Sequence, residues 1–404
     1  MTRNRNEHRI VVVGAGYTGM MCAIRVARRT RRYGGRVTLI NPSTRFIERL
    51  RMHQIATGQE LADVEIPDLI RGTGIDFVQG WARRIDPDQR AIELDGDRRI
   101  GYDTLVYAIG SVADTKSVPG AAEHAYTLDS PSAARRLAVR LAEVPNATVA
   151  VCGGGLTGVE AAAEIAESHP GVRVVLLSRD VPGSMMSAPA RGYLSRGLAR
   201  LGVDVRAGVE VTKVLPGAVE LAGGEVLPVD ACLWTTGFAT APLAAEAGLT
   251  VDVRGRIVVD ATLRSVSHPS TYAIGDAAAV RQAWGTIHGT CQSGIPTGAH
   301  AADTIARRLR GREGRPFRFG YIHQPVCLGR HDAVIQFTRP DDTPRRWYLT
   351  GRLAVAYKEL VTSSPPPTYR LSKRLTPPAA ALTPRGGRAT RRNGITAPSV
   401  SPGC

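Results

Sequence analysis

Short runs of apolar, β-branched residues alternate with longer amphipathic segments in the first part of the chain. Ile10–Val13 has the length and branching of a buried strand, and Val37–Ile40 is a second run of the same kind. The arginine-rich residues between them keep the apolar spacing of an amphipathic helix. The pattern therefore predicts a strand, a helix and a second strand, the repeating unit of an α/β fold with a parallel sheet.

A glycine pattern fills the turn between the first predicted strand and its helix. Gly14, Gly16 and Gly19 form G-x-G-x-x-G. The first glycine permits a tight turn, the second lets backbone approach a pyrophosphate, and the third lets the helix pack on the strand. The helix N-terminus then faces the anion. In this strand–turn–helix–strand context, dinucleotide binding is favoured over an accidental glycine turn.

The same design recurs in the middle of the chain. Ala147–Cys152 is typical of a strand, Val159–Ser168 of an alanine-rich helix, and Val172–Leu177 of the next strand. The intervening turn is again G-x-G-x-x-G, formed by Gly153, Gly155 and Gly158. Two matched units predict two bound dinucleotides. The alternative is a degenerate second copy that has lost its ligand.

Three further strand-like runs end in glycine, where a nucleotide could lie against backbone. They are Tyr102–Gly110, Ala231–Gly237 and Thr271–Asp276. In the last run Asp276 follows Gly275 directly, so its carboxylate can accept a hydrogen bond from a sugar-like hydroxyl at the carboxyl end of the strand. An ordinary turn aspartate is the alternative interpretation of that position.

The order of these motifs carries a family resemblance. GAGYTG, YAIGS, GGGLTGVE, TTG and YAIGDAA follow one another between about residues 9 and 310. This arrangement resembles the flavin-dependent pyridine-nucleotide oxidoreductases that have two dinucleotide-binding domains. Within that superfamily the chain is most similar to type II NADH dehydrogenases and apoptosis-inducing-factor-like reductases. Phe46–Gly58 resembles their F-x-P-L-L-Y-Q-V-A-T-G stretch, and Ile66–Arg71 their I-x-x-P-L-R.

The resemblance implies an α/β fold with two Rossmann-like domains, one for FAD and one for NAD(P)H, a small α+β C-terminal domain and a disordered basic tail. Hydride would pass from nicotinamide to the flavin, a transfer that needs alignment and no side-chain acid or base. The expected division is an FAD domain in two parts, residues 1–115 and 237–315, an NAD(P)H domain at 116–236, an interface domain at 316–374 and the tail at 375–404.

The resemblance also assigns roles to individual residues. Asp276 would bind the ribityl or phosphate region of FAD, and Glu160 would lie near the nicotinamide, although a helix dipole favours a carboxylate there anyway. Arg51 would place a positive charge near the flavin, or form a structural ion pair. The full set of expected cofactor-binding residues is Gly14, Gly16, Gly19, Asn41, Arg51, Gly110, Gly153, Gly155, Gly158, Glu160, Ser178, Arg179, Gly237, Gly275, Asp276, Gln292 and Thr297.

The choice between NADH and NADPH depends on the residues at the end of the second strand in each unit. An acidic residue there accepts hydrogen bonds from ribose hydroxyls, whereas an arginine suits a 2′-phosphate. The first unit has Asn41, which is uncharged. The second unit has Ser178, Arg179 and Asp180, so Arg179 favours NADPH while Asp180 keeps NADH open.

The cysteines narrow the reaction class. Disulfide reductases of this superfamily relay electrons through a pair of thiols. The six cysteines include no C-x-x-C pair, and residues 41–58, where the pair would lie, have none. Electrons should therefore leave the flavin directly for a quinone, a small electron carrier or oxygen. No cysteine or histidine spacing indicates a metal site.

The expected acceptor end is Thr290–Leu309. Pro296 is suited to the first position of a helix, whose positive end would stabilise charge on the reduced flavin. The stretch resembles the quinone-site motif A-Q-x-A-x-Q-x-G. Gln292 and Gly298 match it, whereas Pro296 replaces the second glutamine. For Gln292, a helix-entry hydrogen bond is the alternative role.

Charge and composition complete the sequence-based expectations. The net charge is +16, and from Leu360 to Cys404 there is no acidic residue. From about Leu375 this indicates a disordered tail, better interpreted as solvated than as bound to anionic lipid or nucleic acid. No apolar run is long enough to span a membrane and no cleavable signal is visible, so we expect a cytoplasmic protein. A homodimer is compatible with the sequence.

The remaining C-terminal residues predict strands at Ala333–Thr338 and Arg346–Leu349 and a short helix at Leu353–Val361. The sequence as a whole predicts an NAD(P)H oxidoreductase. A non-catalytic flavin- or nucleotide-sensing protein with the same fold is the alternative.

Overall fold

The computed structural model describes residues 7–375, and its largest sheet is entirely parallel. The helix Tyr17–Thr30 connects the first two strands in the chain and packs on the sheet, which confirms the predicted strand–helix–strand unit. In spatial order the strands are Thr271–Ala273, Thr104–Tyr107, His8–Val13, Gly35–Asn41 and Ile75–Gln79.

A second parallel sheet repeats this arrangement. Its helix, Leu156–Ser168, begins three residues before the predicted start because Gly155 is already the N-cap residue. In spatial order the strands are Asp204–Ala207, Arg173–Ser178, Thr148–Cys152 and Ala231–Trp234. The second G-x-G-x-x-G therefore occupies the same topological position as the first.

Strand register places both glycine turns at the carboxyl edges of their sheets. Val13 pairs with Ile40 on one side and Tyr107 on the other. Likewise, Cys152 pairs with Leu177 and Trp234. Each turn therefore lies beside the glycine-ended segment that follows a neighbouring strand, which is where ligands bind in open α/β sheets.

The long helix Cys291–Arg308 packs against the first helix, and its start differs from the prediction. Thr290 caps it, with its side chain accepting from the Ser293 N–H and Ser293 bonding back, so the helix begins at Cys291. Pro296 is thus an interior residue, and the prediction that it starts the helix was wrong. The capping box of Thr290 and Ser293 fixes the start of the helix. Pro296 lies in the second turn, where its missing N–H removes one main-chain hydrogen bond but does not end the helix.

The C-terminal region is an antiparallel sheet followed by two helices. The strands are His323–Cys327, Ala333–Thr338 and Pro344–Thr350, and the helices are Gly351–Ser363 and Pro365–Ser372. The second helix was not predicted, because three consecutive prolines are typical of a loop. Tyr369 on it donates a hydrogen bond to the carbonyl of Tyr17 at 2.9 Å, which fixes this helix against the first glycine turn.

The remaining helices have from 4 to 13 residues, and the remaining strands are short. The helices are Met52–Ala56, Ile66–Ile70, Ala121–His124, Pro131–Glu143, Ala188–Arg200 and Leu243–Glu246. Two small antiparallel sheets are formed by Ala82–Asp86, Ala91–Leu94 and Arg99–Gly101, and by Val211–Leu215, Ala218–Leu221 and Val226–Pro228.

Between residues 7 and 375, none of the helices combines the length and the apolar character needed to cross a bilayer. The tail predicted to be disordered lies, apart from Leu375, outside the described residues.

Candidate cofactor-binding site

A cleft of about 320 Å³ opens along the carboxyl edge of the first sheet. The first glycine turn and the segments that follow the two neighbouring strands line the cleft, together with the start of the long helix. Its wall includes Gly14, Gly16, Asn41, Gly110, Gly237, Gly275, Asp276, Thr290 and Cys291. The structure therefore brings together most of the residues that the sequence assigned to FAD.

The first glycine turn has the geometry that a pyrophosphate requires. Gly14 has φ +100°, and a Cβ added to Gly19 would collide with the Gly14 carbonyl, so turn and helix are in close contact. Gly16 instead faces open space, with no described atom within 4 Å of an added Cβ. Among residues 7–375, no side chain caps the helix after Gly16 and its first turn has no acid. Its free N–H groups therefore fit an anion.

A second cleft of about 580 Å³ runs along the carboxyl edge of the second sheet, and its glycine turn repeats these features. Gly153 has φ +122°, and a Cβ on Gly158 would collide with the Gly153 carbonyl. Gly155 faces open space within the described part of the chain and is the uncapped start of its helix. This turn fits a second pyrophosphate, and its geometry gives no support to a degenerate copy.

The two clefts share one wall. Trp234, Thr235, Gly237 and Phe238 line both of them. The Trp234 indole N–H donates to the Asp114 carbonyl at 2.8 Å, which fixes this buried side chain beside Asp114. Two ligands held by the two glycine turns can therefore meet across a single segment of chain.

Asp276 is held at the first cleft by a chain of hydrogen bonds. Its Oδ2 accepts from the Ser111 hydroxyl at 2.8 Å. Thr297 accepts from the Gly275 N–H at 3.0 Å and donates to the Gly294 carbonyl at 2.6 Å. Thr297 is buried, so it positions the Gly275–Asp276 turn from behind.

The side chain of Asn41 is committed to the first glycine turn. Its Oδ1 accepts from the Ala15 N–H at 3.0 Å, and its Nδ2 donates to the Ser43 carbonyl at 2.7 Å. Asn41 still lines the first cleft, but its amide holds the turn in shape as well.

The second cleft contains an ion pair that the sequence did not reveal. Arg179 Nη1 lies 3.7 Å from Glu210 Oε1, and both residues line the cleft with Ser178 and Asp180. Glu210 follows the strand Asp204–Ala207, which pairs with Arg173–Ser178. Because Glu210 is distant from Arg179 in sequence, no local motif could have indicated this ion pair. Its carboxylate offsets part of the positive charge that favours a 2′-phosphate.

The helix start at the first cleft carries Cys291, and burial, together with the nearby Asp276, raises the pKa of this thiol to about 11. Cys291 is therefore a protonated packing residue at neutral pH. Gln292 points away into the C-terminal sheet. Its amide donates to the His323 carbonyl at 3.0 Å and accepts from the Ile322 N–H at 2.6 Å. This geometry favours the helix-entry role of Gln292.

Glu160 and Arg51 both contact the C-terminal helix Gly351–Ser363. Glu160 accepts from the Cys327 N–H at 2.9 Å and contacts the Lys358 ammonium. Arg51 bonds to Glu359 and pairs with Glu48, which matches the structural ion pair that was its alternative role. Neither Glu160 nor Arg51 lines the described wall of either cleft.

Two arginines that the sequence interpretation missed line the first cleft. Arg49 bonds to the Ser111 carbonyl and lies 3.4 Å from Asp129, and Arg45 pairs with Asp63 at 2.7 Å. Both lie in or beside the segment Phe46–Gly58, which resembles a motif of the family and from which only Arg51 was expected near the flavin. Which of the arginines in this region reaches the cleft depends on tertiary contacts that the sequence does not show.

Comparisons with known proteins assign the chain to a family. A family model described as pyridine nucleotide-disulphide oxidoreductase matches residues 8–304. NADH dehydrogenase-like protein MT1860 of Mycobacterium tuberculosis is 31% identical, over 81% of this chain and 87% of that protein. Demethylphylloquinone reductase NdbB of Synechocystis is 26% identical, over 81% of this chain and 86% of that protein.

A solved structure shares the fold. The sulfide:quinone oxidoreductase of Aquifex aeolicus superimposes with a TM-score of 0.78 over 90% of this chain and 92% of that one, at 18% identity.

The chain belongs to the pyridine nucleotide-disulphide oxidoreductase family. It is an NAD(P)H-dependent flavoprotein oxidoreductase of that family, with two dinucleotide-binding folds. The five cysteines between residues 7 and 375 are free thiols, and the loop 41–58 has none. In that described part, the acidic, histidine and cysteine side chains form no group of three that could hold a metal ion.

Proposed function

We propose that the first cleft holds FAD, the second holds NAD(P)H, and electrons then pass from the flavin to a quinone. The observation that carries this proposal is the wall shared by the two clefts at Trp234–Phe238. When bound, nicotinamide and flavin supply the hydride chemistry themselves. The chain's own contribution is to bind and align the two ligands.

Each glycine turn supplies unpaired helix N–H groups to a pyrophosphate, and the uncapped helix starts at Gly16 and Gly155 support this role. Asp276, held by Ser111, is suited to accept a hydrogen bond from a hydroxyl in the first cleft. The start of the helix Cys291–Arg308 directs its positive end into the same cleft, where it favours negative charge.

A quinone as the electron acceptor is supported by a relative whose name includes quinone chemistry, the demethylphylloquinone reductase. Direct transfer without a protein thiol is also supported by the lack of cysteine in residues 41–58. For the electron donor we propose NADPH over NADH, because Arg179 lies at the second cleft where a 2′-phosphate would be bound. The free thiols support a cytoplasmic location.

The test is anaerobic reduction of the FAD-loaded protein by NADPH or NADH, followed by addition of one acceptor at a time. A menaquinone analogue, a ferredoxin-type protein and oxygen are compared by the rate at which the flavin absorbance returns. Fast reoxidation by the quinone supports the proposal. If the reduced flavin is reoxidised quickly only by the ferredoxin or by oxygen, the quinone is not the acceptor. If neither nucleotide reduces the bound flavin, the protein is a sensor and not an enzyme.

A further inference from the structure

A third cavity, of about 500 Å³, lies apart from both cofactor clefts at the far end of the first helix. It shares no lining residue with either of them. We call it the basic pocket, because its described wall carries six cationic side chains and no acidic one. Those six are Arg28, Arg29, Arg31, Arg32, Arg310 and Lys373. The uncharged side chain of Tyr33 also lines the pocket.

Main-chain carbonyls and an aromatic ring hold several of these cations in place. The Lys373 ammonium donates to the carbonyls of Asp68 and Arg71 at 3.2 and 3.1 Å. Arg28 donates to the Lys373 carbonyl. The Arg310 guanidinium lies 4.4 Å from the centre of the Tyr33 ring. Within the described part of the chain, these contacts hold Arg28, Arg310 and Lys373 in place without pairing them with a carboxylate.

The carboxylate of Asp303 lies behind the pocket, and two arginines share it. Asp303 pairs with Arg25 and with Arg29, each at 2.7 Å. Burial and the neighbouring Arg25, Arg310 and Arg28 lower the pKa of Arg29, although Asp303 opposes them. Arg31 and Arg32 are exposed, and the part of the chain that the structure describes offers them no carboxylate within 4 Å.

The end of a helix favours cations, but that effect does not account for six of them. Arg28 and Arg29 lie in the last turn of the helix Tyr17–Thr30, where the helix dipole favours a cation. Four more cations come from the following turn, from Arg310 beyond the long helix and from Lys373 near the C-terminus. Gathering them in one concave surface adds mutual repulsion that a bound anion would remove.

We propose that the basic pocket binds a small anion with several phosphate groups. Planar guanidinium groups match phosphate oxygens with paired hydrogen bonds, and several of them converge here. The concave shape and the volume favour a small ligand over a protein surface. The phosphates could belong to a free polyphosphate compound or to a phosphorylated lipid headgroup, since both present the same chemistry.

The test uses the full-length, FAD-loaded protein with its second cleft saturated by NADP⁺. Inorganic triphosphate is titrated calorimetrically, and phosphatidylcholine vesicles with and without a phosphatidylinositol bisphosphate, whose headgroup carries several phosphates, are tested by co-sedimentation. The double variant Arg31→Gln/Arg32→Gln is compared with Arg83→Gln/Arg254→Gln, a matched loss of two exposed arginines elsewhere. Flavin absorbance confirms that each variant folds.

We expect the pocket variant to weaken the binding of the multiply charged probe by about tenfold or more, because two cations that would make charge-assisted hydrogen bonds to its phosphates are lost. Loss of triphosphate binding identifies a free anion, and loss of vesicle binding alone identifies a headgroup. The proposal is overturned if wild type binds neither probe, or if the two double variants lose binding equally.

Discussion

The ammonium of Lys358 contacts the carboxylate of Glu160, and both side chains are almost completely buried. Glu160 lies in the helix that follows the second glycine turn, and Lys358 lies in the helix Gly351–Ser363. The pair therefore joins the second dinucleotide fold to the C-terminal region. Burial, together with the neighbouring Arg51, lowers the pKa of Lys358 to about 7.

Lys358→Met should destabilise the protein by about 3 kcal/mol or more, because it leaves the buried Glu160 carboxylate without its cation. The double variant Glu160→Gln/Lys358→Met should recover most of that loss. Chemical denaturation measures both. Glu359→Gln is the control, since its pair with Arg51 is more than half exposed on the Glu359 side and its loss should cost less than about 1 kcal/mol. Equal losses in Lys358→Met and the control would show that the buried contact adds nothing.

Gly16→Val and Gly155→Val should separate the two proposed cofactors. Both glycines have extended backbone, and no described atom lies within 4 Å of an added Cβ, so both variants should fold. Gly16→Val should weaken FAD binding by at least about tenfold, since backbone contacts to the pyrophosphate are lost. Gly155→Val should remain yellow, but NAD(P)H should reduce its flavin poorly.

The absorbance of purified protein and the rate of flavin bleaching measure these two effects. If Gly155→Val lost its flavin, or if Gly16→Val kept full affinity for it, the assignment of the clefts would be wrong.

Glu210→Gln should increase the preference for NADPH. Glu210 lies 3.7 Å from Arg179 at the second cleft, so removing its charge frees the guanidinium for a 2′-phosphate. We expect kcat/KM for NADPH to rise by about twofold to fivefold, the upper part of the range of an exposed charge interaction, with NADH little changed. Arg179→Gln should lower kcat/KM for NADPH by a similar factor. The proposal of NADPH is refuted if Arg179→Gln affects both nucleotides alike.

His53 should make the protein sensitive to acid. Burial lowers the pKa of His53 to about 3, with Lys358 and Arg51 acting in the same direction. Between about pH 6.5 and pH 3, the unfolded chain binds a proton at His53 that the native state does not bind. His53 should therefore lower the free energy of unfolding by about 1.4 kcal/mol per pH unit as the pH decreases through that window. His323, whose pKa burial lowers to about 4, adds to the total slope above that pH.

Urea denaturation at several pH values measures that slope. His53→Leu should reduce it by about one proton, whereas His331→Gln, which alters an exposed histidine, should not change it. An unchanged slope in His53→Leu would show that another group is responsible.

Local sequence patterns predicted the parallel strands beside both glycine turns, because buried strands must be apolar and each glycine turn has a backbone requirement. Gly14 and Gly19 illustrate this: positive φ and close helix packing leave room for no side chain. The edge strands Ile75–Gln79 and Asp204–Ala207 were not predicted, because neither is fully buried. The start of the long helix was predicted wrongly, since Pro296 is a strong local signal but the reciprocal bonds of Thr290 and Ser293 outweigh it.

Contacts between distant segments could not be predicted in the same way. Glu210 reaches Arg179 because strands that are separated in sequence end at one sheet edge. Lys358 reaches Glu160 because the C-terminal helix packs on the second fold. The helix Pro365–Ser372 depends on its packing against Tyr17 and Phe46, which three consecutive prolines do not reveal.

The most direct measurement follows flavin absorbance after rapid anaerobic mixing of the FAD-loaded protein with NADPH, with NADH, and with each nucleotide deuterated at the transferred position. If the two clefts bring their ligands together across Trp234–Phe238, the flavin should bleach in a first-order phase that deuterium slows. Flavin that stays oxidised, or that bleaches at a rate independent of deuterium and dependent on a second protein molecule, would contradict direct transfer between the two clefts.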